Sequence, residues 1–200
     1  MNSFLRIPLD TTPEQSARLL ALQAAFAEAC NALAPVVRQT RCWNRVTLHH
    51  LAYKTLRERF PHLGSQMACN AIYSVSRTSR QVFQHPESPF NLARLAPGRL
   101  PLLNFADTCP VYFDRHTLSV KDGKLSMYTL DGRIHFQLAL GPESEALFGE
   151  RKLREIVLSR AAEDRFELCF MFSEEEGAPS AFAAANDGRI PDYVMVEAAA

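Results

Sequence analysis

The stretch VYFDRHTLSVKDGKLSMYTLDGRIHFQLAL, Val111–Leu140, decides the fold class, because apolar and polar residues begin to alternate here. It contains the tetrapeptides Lys-Asp-Gly-Lys (Lys121–Lys124) and Leu-Asp-Gly-Arg (Leu130–Arg133). Asp-Gly between alternating apolar residues is a strong signal for a β-hairpin. We therefore expect consecutive antiparallel strands over this stretch.

More strands are expected on both sides of it. Downstream, LREIVLSRAAEDRFELCFMF predicts two strands around a turn at Ala161–Asp164, and RIPDYVMVE predicts a last strand. Between them, SEEEGAPSAFAAANDG is expected to form an acidic loop at 173–188. At the N-terminus, FLRIPLD alternates and predicts a first strand, in which Pro8 suits an edge position.

The residues between the first strand and the later strands have a helical period. Thr12, Pro13 and Gln15 have the spacing of a capped helix start, and Pro35 is expected to end this first helix. Two further helices are expected, at about Thr47–Phe60 and Ser65–Phe83. A Pro-rich stretch without periodicity, HPESPFNLARLAPGRLPLL, then predicts a loop.

This order of elements predicts an α+β protein, a small antiparallel β-barrel with an inserted three-helix bundle. Residues 1–10 would supply the first barrel strand and residues 11–95 the helical insertion. Residues 96–200 would supply the remainder of the barrel with its acidic loop.

Composition excludes several classes of protein. The five cysteines are scattered and include no Cys-x-x-Cys pair, which argues against a disulfide framework and a structural zinc site. No segment is expected to span a membrane, and the N-terminus lacks the apolar run of a signal peptide. We therefore expect a soluble cytoplasmic protein with no cofactor, no metal and no membrane partner.

The formal net charge of zero conceals an asymmetry along the chain. Residues 1–100 contain 12 Lys+Arg against 5 Asp+Glu, whereas residues 101–200 contain 10 against 17. A basic first half favours a polyanionic partner for that half.

The motifs of common enzymes are missing from the sequence, which has no glycine-rich phosphate loop, His-Glu-x-x-His or nucleophile elbow. His49 and His50 are adjacent on a predicted helix, so they point about 100° apart and would not bind one metal together. With His62 they remain candidates for metal or general-base chemistry, against the alternative of ordinary surface histidines. On its motifs the chain is expected not to be an enzyme.

Basic residues concentrate in the helical part, with aromatic and histidine residues among them. Arginine pairs bidentately with phosphate and aromatic rings stack on bases, so the cluster predicts contact with nucleic acid. The alternative is that each long side chain covers the helix surface beside an acidic neighbour such as Glu58. The predicted nucleic-acid-binding residues are Arg38, Arg41, Trp43, Arg45, His49, His50, Lys54, Arg57, Arg77 and Arg80.

Three segments, in the same order, resemble the N-terminal half of TnpB-type proteins, transposon-encoded RNA-guided nucleases related to type V CRISPR effectors. IPLDTTPEQSARLLALQAAFAEACN is similar to that family's opening strand and first helix. LHHLAYKTLRERFPHLGSQMACNAIYSVSRTSR is similar to its next helical segment, and VYFDRHTLSVKDGKLSMYTLDGRIHFQLAL to its following strands. Together these segments cover most of residues 4–172.

The resemblance implies a wedge domain, built as a β-barrel, interrupted by a helical recognition domain. In the family these parts bind the guide RNA and contact the guide–target heteroduplex through its backbone. The family's RuvC nuclease domain would begin after YVMVEAAA, where this chain ends. The resemblance therefore implies a guide-RNA-binding, DNA-targeting subunit without the catalytic acids, which would either act as a programmable binder or pair with a separate RuvC-containing chain.

Two other functions stay open at the level of sequence. The chain would be a protein–protein adaptor if a decayed wedge and recognition scaffold used its acidic half, with Glu174, Glu175 and Glu176, to hold a protein partner. It would be a small nuclease if His49, His50 and His62 formed a catalytic group.

Overall fold

The structure is a computed structural model that describes residues 2–95, 98, 100–161, 165–173 and 188–197. These residues form both helices and sheets, so the predicted α+β class is confirmed. The elements are, in chain order, β1 Asn2–Leu9, α1 Pro13–Thr40, α2 Arg45–Arg59, α3 Ser65–Gln84, β2 Leu102–Phe105, β3 Val111–Phe113, β4 Leu118–Lys121, β5 Lys124–Thr129, β6 Gly132–Gln137, α4 Pro142–Glu150, β7 Lys152–Arg160, β8 Phe166–Ser173 and β9 Val194–Glu197.

The described strands form three separate antiparallel sheets, with the orders β1-β8-β7-β3, β2-β9 and β4-β5-β6. The expected pairing of the first strand with the later sheet is confirmed, because Asn2 pairs with Ser173 and Leu9 with Phe166. A closed barrel would need every strand to pair on both sides. In the part of the chain that the structure describes, β1 and β3 each pair on one side, and no barrel is found.

The two Asp-Gly turns form the hairpins expected of them. Lys121 pairs with Lys124 and Thr129 with Gly132, so β4, β5 and β6 are joined by two-residue turns. Asp122 (φ 51°) and Gly123 (φ 71°) are both left-handed, as a turn matching the right-handed twist of the strands requires.

Helix α1 begins where the sequence predicted but ends later. Thr12 Oγ1 accepts from Gln15 N at 3.2 Å and Gln15 Oε1 accepts from Thr12 N at 2.9 Å, which is the expected capping box. The prediction that Pro35 ends the helix is wrong, since α1 continues to Thr40. Proline removes one intrahelical hydrogen bond, and the burial of Leu33 and Val37 on either side holds the helix together.

Contrary to the sequence expectation, α1 has the length and composition of a membrane-crossing helix. Its most apolar 18-residue window has a mean hydropathy of 1.4, and 56% of that window is buried inside the protein. The core helix of a soluble protein meets the same criterion, so the finding is weak evidence for a membrane span.

The chain divides into two compact units, with the boundary inside α1. The first comprises the described residues of 1–22 and 110–181, and the second those of 23–109 and 182–200. The division of the chain into wedge and recognition domains remains a prediction.

The first unit contains the four-stranded sheet, the three-stranded sheet and α4. Phe148 of α4 lies edge-on to Phe170 and Phe172 of β8, with ring centroids 5.1 Å apart in both pairs. This helix was not predicted, although Pro142 at its first turn and two glutamates there are typical of a helix start. The described residues thus contain four helices, and a three-helix bundle is not confirmed.

The second unit is built around α3. Twelve of its twenty side chains are buried. Many of these are Ala, Ser, Thr or Asn, whose small size lets neighbouring segments approach the helix closely. Only one stripe of α3 therefore reaches solvent.

Candidate nucleic-acid interface

The solvent-reaching stripe of α3 contains the residues most suited to hold a polyanion. We define the α3 stripe as Gln66, Cys69, Tyr73, Arg77, Arg80 and Gln84, which recur three or four residues apart and are half-buried or exposed. This spacing places them on one face of the helix. An aromatic ring and two guanidinium groups therefore follow one another along the surface.

Helix α2 adds a third arginine to this surface. Asn44 caps the helix, its Oδ1 accepting from Val46 N at 3.0 Å and from Thr47 N at 3.2 Å. The cap fixes the first turn, where the Arg45 guanidinium carbon lies 5.1 Å from the centroid of the Tyr73 ring. Such a cation–π contact leaves the polar edge of the guanidinium available for hydrogen bonding.

Arg77 and Arg80 differ in their surroundings. Arg80 is exposed and, among the described residues, has no hydrogen bond or ion pair. Arg77 is half-buried and lies near Tyr193. Burial raises the pKa of Tyr193 to about 12, and the positive charge of Arg77 and a hydrogen bond with Thr78 counteract part of that rise. Arg77 thus lies partly inside the fold, whereas Arg80 is an exposed cation at the surface.

The exposed face of α2 presents His50 and Lys54. Leu48, Ala52 and Leu56 are its buried residues, and His50 and Lys54 lie on the opposite side. Lys54 forms no ion pair with Glu58 or with any other described residue, so its charge is not neutralised locally.

The three histidines are not grouped as a metal site within the described residues. His49 stacks on Tyr53 at 4.5 Å, while the rings of His49 and His50 are 6.0 Å apart and nearly perpendicular. His62 lies against Phe60. Within the described ranges, no three His, Cys, Asp or Glu residues are grouped so that they could hold a metal ion.

Arg57 and Trp43, two of the predicted contact residues, are occupied by the fold. The Arg57 Nη1 donates to the Leu63 carbonyl and thereby ties the end of α2 to the turn before α3. Trp43 is 8% exposed, packs on Phe83 at 5.4 Å, and accepts a hydrogen bond from Ser76 Oγ at 2.6 Å through its carbonyl. The Trp43 ring belongs to the core of the second unit, and its contact with nucleic acid stays a prediction.

Tyr73 is the aromatic residue that sequence reasoning missed. Trp43 drew attention because it stands among arginines in the sequence, yet Tyr73 stands four residues before Arg77 and seven before Arg80. Residues four and seven positions apart lie on one face of a helix, so the spacing of Tyr73 from Arg77 and Arg80 would have identified it as part of the same surface.

The other two predicted arginines lie together at the end of α1. Arg38 and Arg41 line a groove of about 550 Å³.

A second basic surface was also missed. The outer face of the β4-β5-β6 sheet presents Lys121, Lys124, Arg133 and His135, all exposed, beside the half-buried Tyr128. These strands carry no carboxylate. Arg133 lies across the sheet, its Nε donating to Ser126 Oγ at 2.7 Å. The acidic overall charge of the second half hid this face, although Arg133 and His135, two positions apart on one strand, could have shown it.

The predicted partner-binding residues Glu174, Glu175 and Glu176 lie outside the described residues. Comparison with protein-family models returns no match, and comparison with curated proteins returns none at a significant level. The function is therefore inferred from the residues of the chain.

Proposed function

We propose that this chain is a guide-RNA-binding subunit of a TnpB-like or type V CRISPR-like complex that targets DNA. Its helical part would act as the recognition domain and its strands as the wedge. Target DNA would be met as the guide–target heteroduplex.

One observation carries the proposal: Arg45, Tyr73 and the two arginines of the α3 stripe lie on one surface. Arginines bind the phosphates of a single strand while an aromatic ring stacks on its bases, and every base has a face that can stack. The α3 stripe contains no carboxylate, so a strand bound there would meet no repelling charge.

The basic outer face of the β4-β5-β6 sheet supports the same proposal from the first unit. Lys121 and Lys124 are cross-strand neighbours, and like charges placed opposite each other destabilise a hairpin. Neither lysine has an ion pair or hydrogen bond within the described ranges. A phosphate near the turn would relieve this repulsion.

The proposal is tested by expressing the full chain in a host that supplies a native-like RNA pool. The purified protein is washed at moderate salt, and the RNA that remains bound to it is sequenced. Retention of one abundant structured RNA with a variable end is expected. Arg80→Glu should release most of it, because a reversed charge at an unpaired, exposed position acts on the ligand and leaves the core intact. Arg59→Glu, exposed at the end of α2 and outside the α3 stripe, is the matched charge-reversal control.

Affinity should also fall steeply with salt. Each phosphate contact contributes about 0.7 to the slope of log affinity against log salt for a single strand, so Arg80→Ala should reduce the slope by roughly that amount. A protein that purifies without RNA, or that holds RNA equally after Arg80→Glu, would contradict guide binding. The adaptor would then be favoured if the chain holds a protein partner and loses that partner when Glu174, Glu175 and Glu176 are neutralised.

A further inference from the structure

The groove at the C-terminal end of α1 has two kinds of wall. Pro35, Leu100 and Leu102 form its apolar side, and Leu100 is almost completely buried. Arg38, Gln39 and Arg41 form its polar side. Its volume of about 550 Å³ lies within the range of roughly 300–1,000 Å³ that is usual for small-molecule sites.

The polar side is positively charged and held in place. Arg41 has left-handed backbone (φ 53°), and its Nη1 donates to the Gly98 carbonyl at 2.6 Å, which fixes the guanidinium at the opening of the groove. Arg38 is half-buried and has neither an ion pair nor a hydrogen bond among the described residues. No carboxylate is among the described residues that line the groove. The guanidinium of Arg38 is therefore available for charge-assisted hydrogen bonds to an anionic ligand.

The end of a helix disfavours anions because its last carbonyls carry partial negative charge. Two of these carbonyls in α1 already have donors: Val36 O accepts from Thr40 Oγ1 at 2.7 Å and Val37 O from Arg41 N at 2.8 Å. The two full positive charges of Arg38 and Arg41 therefore outweigh the partial negative charge of the last helix carbonyls at this groove.

We propose that the groove binds a nucleoside monophosphate unit. The phosphate would bind to Arg38 and Arg41, and the base would lie against Pro35 and Leu102, which keep accessible surface. A bare phosphate would leave the apolar wall uncovered, and an apolar ligand would leave Arg38 unpaired. The inference extends the proposed function, because the 5′-phosphorylated end of an RNA contains such a unit; a free mononucleotide is the other source of the same chemistry.

The test uses the full chain and isothermal titration calorimetry with AMP and with adenosine. AMP should bind at least about tenfold more tightly than adenosine, as expected for charge-assisted hydrogen bonds to the phosphate. Arg38→Met keeps the apolar stem but removes the charge, and should weaken AMP by about tenfold while adenosine is unchanged. Arg59→Met is the matched control and should leave AMP binding as it is.

Equal binding of AMP and adenosine, or equal losses in Arg38→Met and Arg59→Met, would overturn the inference. Competition against AMP by a 12-nucleotide RNA with a 5′-phosphate, but not by the same RNA with a 5′-hydroxyl, would assign the site to an RNA end. AMP binding without competition by either RNA would assign it to a free nucleotide.

The two proposals fail separately. If the chain retains RNA but does not bind AMP, the groove inference is wrong and guide binding stands. If AMP binds and Arg80→Glu has no effect on RNA, guide binding through the α3 stripe is wrong and the nucleotide groove stands.

Discussion

Replacing Tyr73 by alanine tests whether the α3 stripe stacks on nucleic-acid bases. The ring is half-buried on a helix whose other faces are packed, and Arg45 lies over it at 5.1 Å. Truncation removes the stacking surface and lets the Arg45 side chain move. The phosphate-binding arginines of the stripe stay in place.

The expected loss follows from the energy of base–aromatic stacking. Stacking contributes about 1–3 kcal/mol per base, which corresponds to roughly a 5- to 150-fold loss of affinity. Tyr73→Phe keeps the ring and the cation–π contact, so its affinity should remain within about twofold of the wild type. The salt slope should not change in Tyr73→Phe, since no phosphate contact is removed, and in Tyr73→Ala it should fall by at most about 0.7, the contribution of the one contact that Arg45 can lose.

The measurement is fluorescence anisotropy with a labelled 20-nucleotide RNA at three salt concentrations, with thermal unfolding of each variant as a check on folding. Wild-type affinity in a folded Tyr73→Ala protein would refute stacking at this surface. An equal loss in Tyr73→Phe would point to the hydroxyl and refute it as well.

Three further predictions concern the fold. Asn44→Ala should lower the free energy of unfolding by about 1 kcal/mol, and Asn44→Asp should restore most of it, as measured by urea titration; an unchanged midpoint in Asn44→Ala would mean that the α2 cap contributes nothing. Gly123→Ala should cost about 1 kcal/mol or more, because φ is +71° and the new Cβ would lie 3.0 Å from Gln137 Nε2; Gly141→Ala, which has open space, is the control. Because the pKa of Tyr193 is about 12 in the folded protein, above the 10 of an ordinary tyrosine, the unfolded chain loses this proton first, and stability should fall between about pH 10 and 12. Tyr193→Phe should remove roughly 3 kcal/mol of that fall, and identical pH profiles for the two proteins would contradict it.

Local signals in the sequence predicted local structure well. The capping box at Thr12 and the Asp-Gly turns depend on a few neighbouring residues, and both formed as expected. Pro35 shows where such reasoning fails, since burial on both sides of a helix residue overrides an intrinsic helix breaker. The three separate sheets could not be predicted, because pairings such as β2 with β9 join residues about 90 positions apart and leave no local trace.

The candidate site was predicted in part. The basic residues of α2 and α3 follow from composition, but burial decides which of them a ligand can reach. Trp43 stands among arginines in the sequence and Tyr73 among small and apolar residues, yet Trp43 packs inside against Phe83 and Tyr73 is half-buried at the surface. The groove joins α1 to residues about 60 positions later, which no spacing rule connects.

The pairing of β1 with β8 has a consequence for synthesis on the ribosome. Asn2 pairs with Ser173, so the first strand to be translated cannot take its place until β8 has left the exit tunnel. At roughly 5–20 residues per second, β1 waits on the order of ten to thirty seconds. Phe4 and Ile7 stay available to chaperones during that interval, whereas the α2–α3 hairpin can form from contacts between neighbours as soon as it emerges.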